Sequence, residues 1–214
     1  MTVLALDTAS PRPAVALWSD GRLFEASLPD DRRASEDLLP AVRRVLAAAG
    51  LPLSRCGRIG VCAGPGSFTG LRVGLATAWG LGRAAGILVE TVSTLAAIAE
   101  ASRVPGRTRV VAALDAGRGD AVAERFDLSS PRARSAAPAT LIPLATLTEF
   151  AGDDAVAAFS DPLAASPLAA SSVAAALAEA IAREPGASTL PDRRLGIAAI
   201  YSRPSAAEEK HGAA

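Results

Sequence analysis

Short apolar runs alternate with polar turns along the chain, and the spacing within each run selects its element. Thr2 to Leu6 is apolar and ends at Asp7, which predicts a buried strand. Pro13 to Trp18 predicts a second strand, and Asp20-Gly21 is a hairpin turn signal. Arg22 to Leu28 alternates and completes an antiparallel meander of three strands. Leu38, Leu39, Val42, Val45 and Leu46 then recur at helical spacing after Ser35, a residue suited to capping, and Gly50 ends that helix. Arg58 to Cys62 predicts a strand. Leu71 to Leu88 predicts a second helix, Leu88 to Thr91 a strand, and Ser93 to Ser102 a third helix. This order of strands and helices is that of a ribonuclease-H-like unit.

Pro105-Gly106 is the best internal boundary. Beyond it the opening theme recurs. Thr108 to Leu114 and Ala121 to Leu128 predict strands around a turn at Gly117 to Gly119. Ser129 to Pro138 reads as a loop, Ile142-Pro143 as a short strand, Leu144 to Phe150 as a helix and Val156 to Phe159 as a strand. Ser171 to Arg183 is alanine-rich and helical in pattern, and Gly196 to Tyr201 is a last apolar run. The expected architecture is α/β, with two tandem ribonuclease-H-like subdomains at 1–104 and 105–204. Each has a mixed sheet flanked by helices, and a polar tail over 205–214 frays.

The centre of the chain is Ala63-Gly64-Pro65-Gly66-Ser67-Phe68-Thr69-Gly70-Leu71-Arg72-Val73-Gly74, between a strand and a helix. Gly64 and Gly66 open backbone angles closed to other residues, and Ser67 or Thr69 can cap the helix that follows. Glycine loops before helices cradle phosphate through free amides and the helix dipole. This loop lacks the P-loop lysine and has Thr69 where the dinucleotide pattern needs a glycine. Spacing alone leaves a phosphate cradle and a tight structural turn both open.

The run Gly64 to Gly74 resembles the signature of the TsaB family, also called YeaZ, within the actin-like ATPase superfamily. Support in the same order comes from Met1 to Ser10, Ser35 to Pro40, Asp115 to Asp120 and Tyr201-Ser202-Arg203. Alanine stands at 34, where many relatives carry histidine. The resemblance implies a non-catalytic scaffold in synthesis of threonylcarbamoyladenosine on tRNA. Its implied partners are TsaD and TsaE, with a homodimer when alone and tRNA bound only through the complex. No cofactor is implied.

Composition narrows the chemistry. The 214 residues carry no net charge, which argues against tight autonomous binding to nucleic acid. Lys210 is the only lysine; with the alanine excess, the arginine bias reads as genome composition. Cys56 and Cys62 form neither a disulfide framework nor a metal pattern. No signal-peptide pattern and no charge-free apolar run of about 20 residues is present, so a soluble cytoplasmic protein is expected. The only histidine, His211, lies in the tail, where it cannot serve a fixed nucleophile pair. Transition-metal sites usually need several His or Cys ligands, which two cysteines do not supply.

Asp7, Thr8 and Ser10 stand where superfamily ATPases hold magnesium phosphate, and Asp115 holds the corresponding place in the second half. An aspartate after a strand can bind magnesium through water, or it can bond to turn amides, its common role in loops. An actin-like ATPase using Asp7 and Asp115, a peptidase, and a nucleotide-binding module without turnover therefore remain alternatives. The first two helices are the expected interface. Leu38, Leu39, Val42 and Leu46, beside Arg43, give the first a broad apolar surface. Gly70, Gly74 and Thr77 give the second a face that admits close approach, while Arg72 and Trp79 offer an aromatic anchor with a charge beside it.

Overall fold

A computed structural model of the chain describes residues 1–29, 34–158 and 172–186. The first half builds a five-stranded sheet from β1 (Val3–Asp7), β2 (Ala14–Ser19), β3 (Arg22–Ser27), β4 (Arg58–Cys62) and β5 (Leu88–Val92). Their order is β3-β2-β1-β4-β5. β1 to β3 run antiparallel, whereas β4 and β5 join parallel to β1. Parallel pairing requires crossovers, and helices α1 (Ala34–Ala49) and α2 (Phe68–Ala85) supply them.

The second sheet contains β6 (Arg109–Gly117), β7 (Asp120–Asp127), β8 (Arg134–Ser135), β9 (Thr140–Pro143) and β10 (Ala155–Ala157). Its order is β10-β6-β7-β8, with β9 also on β7. β6 and β7 are antiparallel and β10 is parallel to β6, which repeats the relation of β1 to β2 and β4. Among the described residues, three further α-helices are α3 (Thr94–Ala101), α4 (Leu147–Ala151) and α5 (Val173–Arg183).

Side-chain alternation on the strands sorts the core into layers. Leu4 and Leu6 of β1, with Val15 and Leu17 of β2, meet Leu38, Val42 and Val45 of α1 and Leu75 and Ala78 of α2. The opposite faces present Val3, Ala5, Ala14 and Ala16 to a different cluster. That cluster includes Leu95 and Ile98 of α3, Leu177 and Ile181 of α5, and Val110, Leu114 and Phe126 of the second sheet. Helices α3 and α5 thus lie between the sheets, and α4 covers the outer side of the second one.

Most boundaries follow local chemistry. The Ser67 hydroxyl accepts from the Gly70 amide and starts α2, and Ser93 and Ser172 cap α3 and α5 in the same way. Gly50 and Gly86, both left-handed, close α1 and α2. Ser35 and residues 134–135 depart from the expected elements, whereas Pro40 lies within the helix expected after Ser35. Ser35 lies inside the first turn of α1, where Glu36 and Asp37 suit the helix dipole. Pro40 sits within α1, where it lacks the amide that would reach the Glu36 carbonyl. Residues 134–135 of the expected loop pair with β7 as β8. The expected apolar run Gly196 to Tyr201, Tyr201-Ser202-Arg203, His211 and the tail 205–214 lie outside the described residues.

Candidate functional site

The end of β1 and the start of α2 form one packed unit. Asp7 is fully buried, and its Oδ1 accepts from the amides of Ala9 and Ser10, each at 3.0 Å. The Ser10 hydroxyl donates to Oδ2. The Thr8 hydroxyl donates to the Gly70 carbonyl at 2.6 Å, and the Ser67 amide donates to the Ala9 carbonyl at 2.9 Å. Thr94 fastens the other side of the loop. Its amide donates to the Gly64 carbonyl at 2.8 Å, and its hydroxyl accepts from the Gly64 amide at 3.2 Å.

The glycines serve this self-packing. Gly66 has φ +155°, and a Cβ there would overlap the Ala9 carbonyl. A Cβ on Gly70 would overlap the Thr8 carbonyl, and one on Gly74 the Thr8 hydroxyl. The close approach that glycine permits is therefore made to the chain's own backbone. A phosphate cradle needs open amides and an open approach. Here the Ala9 and Ser10 amides are occupied by Asp7.

Burial pushes the Asp7 carboxyl above its ordinary value, while hydrogen bonds from Ser10, Ala9 and Cys62 pull the other way. The Cys62 thiol is raised well above the ordinary range, first by burial and then by the Asp7 charge. Such a thiol is held in its neutral, unreactive form. Asp115 is exposed, and its Oδ1 accepts from the Gly117 amide at 2.6 Å. Both aspartates thus cap turns. Among the described residues no cluster of three or more His, Cys, Asp or Glu side chains could hold a metal ion.

The expected interface residues separate into two groups. Leu38 and Val42 are buried under the first sheet, so they are core residues of the chain itself. Gly70 and Gly74 are likewise inside, against Thr8, which corrects the expectation that they open a face to a partner. Helical periodicity marks an apolar face without saying what covers it; here the sheet covers it. Leu39, Arg43 and Arg72 are exposed, and Leu46, Thr77 and Trp79 are half-buried. Leu39 keeps 47% of its surface and Phe68 keeps 38%. The Arg72 guanidinium lies 3.8 Å from the centre of the Phe68 ring. The spacing of four residues on one helix could have revealed this pair. The sequence reading chose Trp79 instead.

Two mixed sheets with helices between and outside them define the architecture of the actin-like ATPase superfamily. A model of the family described as "TsaD: tRNA N6-adenosine threonylcarbamoyltransferase" matches residues 29–192, and the chain belongs to that family, on its TsaB (YeaZ) side. The Escherichia coli (strain K12) protein named "tRNA threonylcarbamoyladenosine biosynthesis protein TsaB" is 39% identical over 121 residues, 56% of this chain and 52% of that one. The namesake from Haemophilus influenzae is 38% identical over 117 residues, covering 54% of this chain and 50% of the relative. The chain spans about half the length of these curated relatives. YeaZ from Pseudomonas aeruginosa superposes with TM-score 0.62 at 36% identity, over 66% of this chain and 67% of that structure. A second structure, described as an uncharacterized protein with similarity to peptidase YeaZ from Pseudomonas aeruginosa, gives TM-score 0.75 at 27% identity, over 94% and 99%. No helix among the described residues is long and apolar enough to cross a membrane.

Proposed function

We propose that this chain is a non-catalytic partner subunit in synthesis of threonylcarbamoyladenosine on tRNA. It pairs with a TsaD-type transferase and a TsaE-type ATPase, self-associates when alone, and meets tRNA only within the complex. The observation that supports this reading best is the closed loop at Asp7 to Ser10. Asp7 takes the Ala9 and Ser10 amides, Gly70 takes the Thr8 hydroxyl, and the glycines of α2 are packed against the loop. Those two amides are therefore not open to a γ-phosphate. The names of the relatives supply the pathway.

The docking face we assign comprises Leu39 and Arg43 of α1 with Phe68 and Arg72 of α2. These side chains are exposed on helices that pack on each other, and the aromatic with its arginine is a frequent anchor. The test combines three measurements on the purified chain and its Leu39→Arg variant: melting temperature, sedimentation alone, and co-purification with TsaD. Leu39 is half exposed, so the variant is expected to keep its melting temperature while losing both self-association and pairing. Undiminished pairing would remove this face. Steady ATP turnover by the chain alone, abolished by Asp7→Ala, would overturn the non-catalytic reading.

A further inference from the structure

Helix α1 carries a stripe of exposed side chains on the side away from its sheet. Glu36, Leu39, Pro40, Arg43 and Ala47 are exposed and recur at steps of three and four residues, opposite the buried Leu38, Val42 and Val45. Leu39 keeps 47% of its surface. Glu36 and Arg43 stand one heptad apart, about 10 Å along the axis, beyond the reach of an ion pair within the helix. Neither enters an ion pair among the described residues, whereas Arg103, Arg132 and Arg183 are paired with the buried Glu90 and Glu100.

The order along the stripe is self-complementary. From its N-terminal end an acid, an apolar pair and a base follow one another. In a twofold interface the same patch meets itself, and with the axis across the helix the two copies of α1 run antiparallel. With that axis between Leu39 and Pro40, Leu39 of each copy faces Pro40 of the other. Glu36 of each copy then faces Arg43 of the other, on both sides of the apolar centre. A parallel arrangement would instead set Glu36 against Glu36 and Arg43 against Arg43. The charges therefore specify direction and register, as flanking charges do between coiled-coil helices. A stripe with one acid for each base has no excess charge for a phosphate backbone.

We propose that α1 self-pairs antiparallel about a twofold axis between Leu39 and Pro40, with Glu36 of each copy bound to Arg43 of the other. The pairing rests on the docking face assigned above and gives the mode by which that face self-associates.

Sedimentation of the full chain and of charge-exchanged variants tests it, with melting temperature as the check on folding. Glu36→Arg and Arg43→Glu each bring like charges together, and each is expected to weaken self-association about tenfold or more. The double exchange, Glu36→Arg with Arg43→Glu, restores opposite charges and is expected to recover it. An equimolar mixture of the two single variants is expected to form mixed pairs, because one variant then carries only bases on the stripe and the other only acids. Both sites are exposed, so every variant is expected to stay folded. Undiminished self-association in both single variants, or a double exchange no better than the singles, would overturn the pairing. A parent chain that remains monomeric at the highest concentration reached would overturn it as well. Loss of self-association in Leu39→Arg without any response to the charge exchanges would leave the docking face standing and sink the antiparallel register. Leu39→Arg without effect would remove the face and the pairing together.

Discussion

At the residue scale, Asp7 shows how burial turns a catalytic-looking carboxylate into a turn cap. Removing it by Asp7→Ala would leave the Ala9 and Ser10 amides without an acceptor in a buried loop. A loss of about 3 kcal/mol is expected in thermal or denaturant unfolding, since each unpaired buried donor costs ~1–3 kcal/mol. Asp7→Asn keeps an acceptor and should cost less. The pH dependence separates the two states of the carboxyl. Burial raises its pKa above 3.8, so the folded chain holds a proton that the unfolded chain releases. Its stabilising contribution is full below the unfolded value and is lost as pH rises through the folded one. Stability of Asp7→Asn relative to the parent should therefore improve from about pH 3 to about pH 7. A difference that stays flat or moves the other way would mean that the hydrogen bonds outweigh desolvation. The sequence placed Asp7 at a strand end but left its role open. The Ala9 and Ser10 amide contacts show its part in the turn, which the pattern of apolar and polar positions does not carry.

At the scale of the element, α2 carries glycines of opposite character. Gly80 is exposed, and nothing stands within 4 Å of the place a Cβ would take. Gly80→Ala should stabilise the protein by ~0.5–1 kcal/mol, because alanine loses less entropy in a helix. Gly74→Ala has the same helical gain but drives a methyl into the Thr8 hydroxyl. An overall loss of about 2 kcal/mol is expected, in the range of overpacking. Thr8→Ala in that background removes the oxygen, and the double variant should be more stable than the sum of the singles by about 1 kcal/mol. An additive result would show that Gly74 does not touch the first loop. Helix starts at Ser67 and Ser93, and the strand–loop–helix order, were legible because caps and periodicity act locally. Which face of α2 meets β1 was not legible. Small residues admit any close neighbour, and only the tertiary packing shows that the neighbour is Thr8.

Charge is the property that acts at the scale of the whole molecule. The second sheet repeats the opening order of the first, which the recurring strand–turn–strand pattern anticipated; β8 was missed because two residues carry no periodicity. The arginines were read as compositional bias, and the structure gives several of them particular work. Arg103, Arg132 and Arg183 are paired to the buried Glu90 and Glu100, and Arg109 and Arg125 to Asp154. Cations spent on internal carboxylates do not neutralise phosphates. With 22 basic and 22 acidic residues in all, the surface has little net attraction for a polyanion. Binding of tRNA by the chain alone is therefore expected to be weak, with a dissociation constant of roughly micromolar or higher at physiological salt. Each phosphate contact adds about −0.7 to −0.9 to the slope of log affinity against log salt, so a shallow slope is expected as well. Filter binding or fluorescence anisotropy across a salt series measures both quantities. Arg43 and Arg44 on α1 and Arg72 on α2 are exposed, and they are the residues through which the argument would fail. Submicromolar affinity with a steep slope, reduced together by Arg43→Ala and Arg44→Ala, would turn the docking face of α1 into an RNA surface. Weak binding that strengthens only when TsaD is added would place tRNA recognition in the assembled complex.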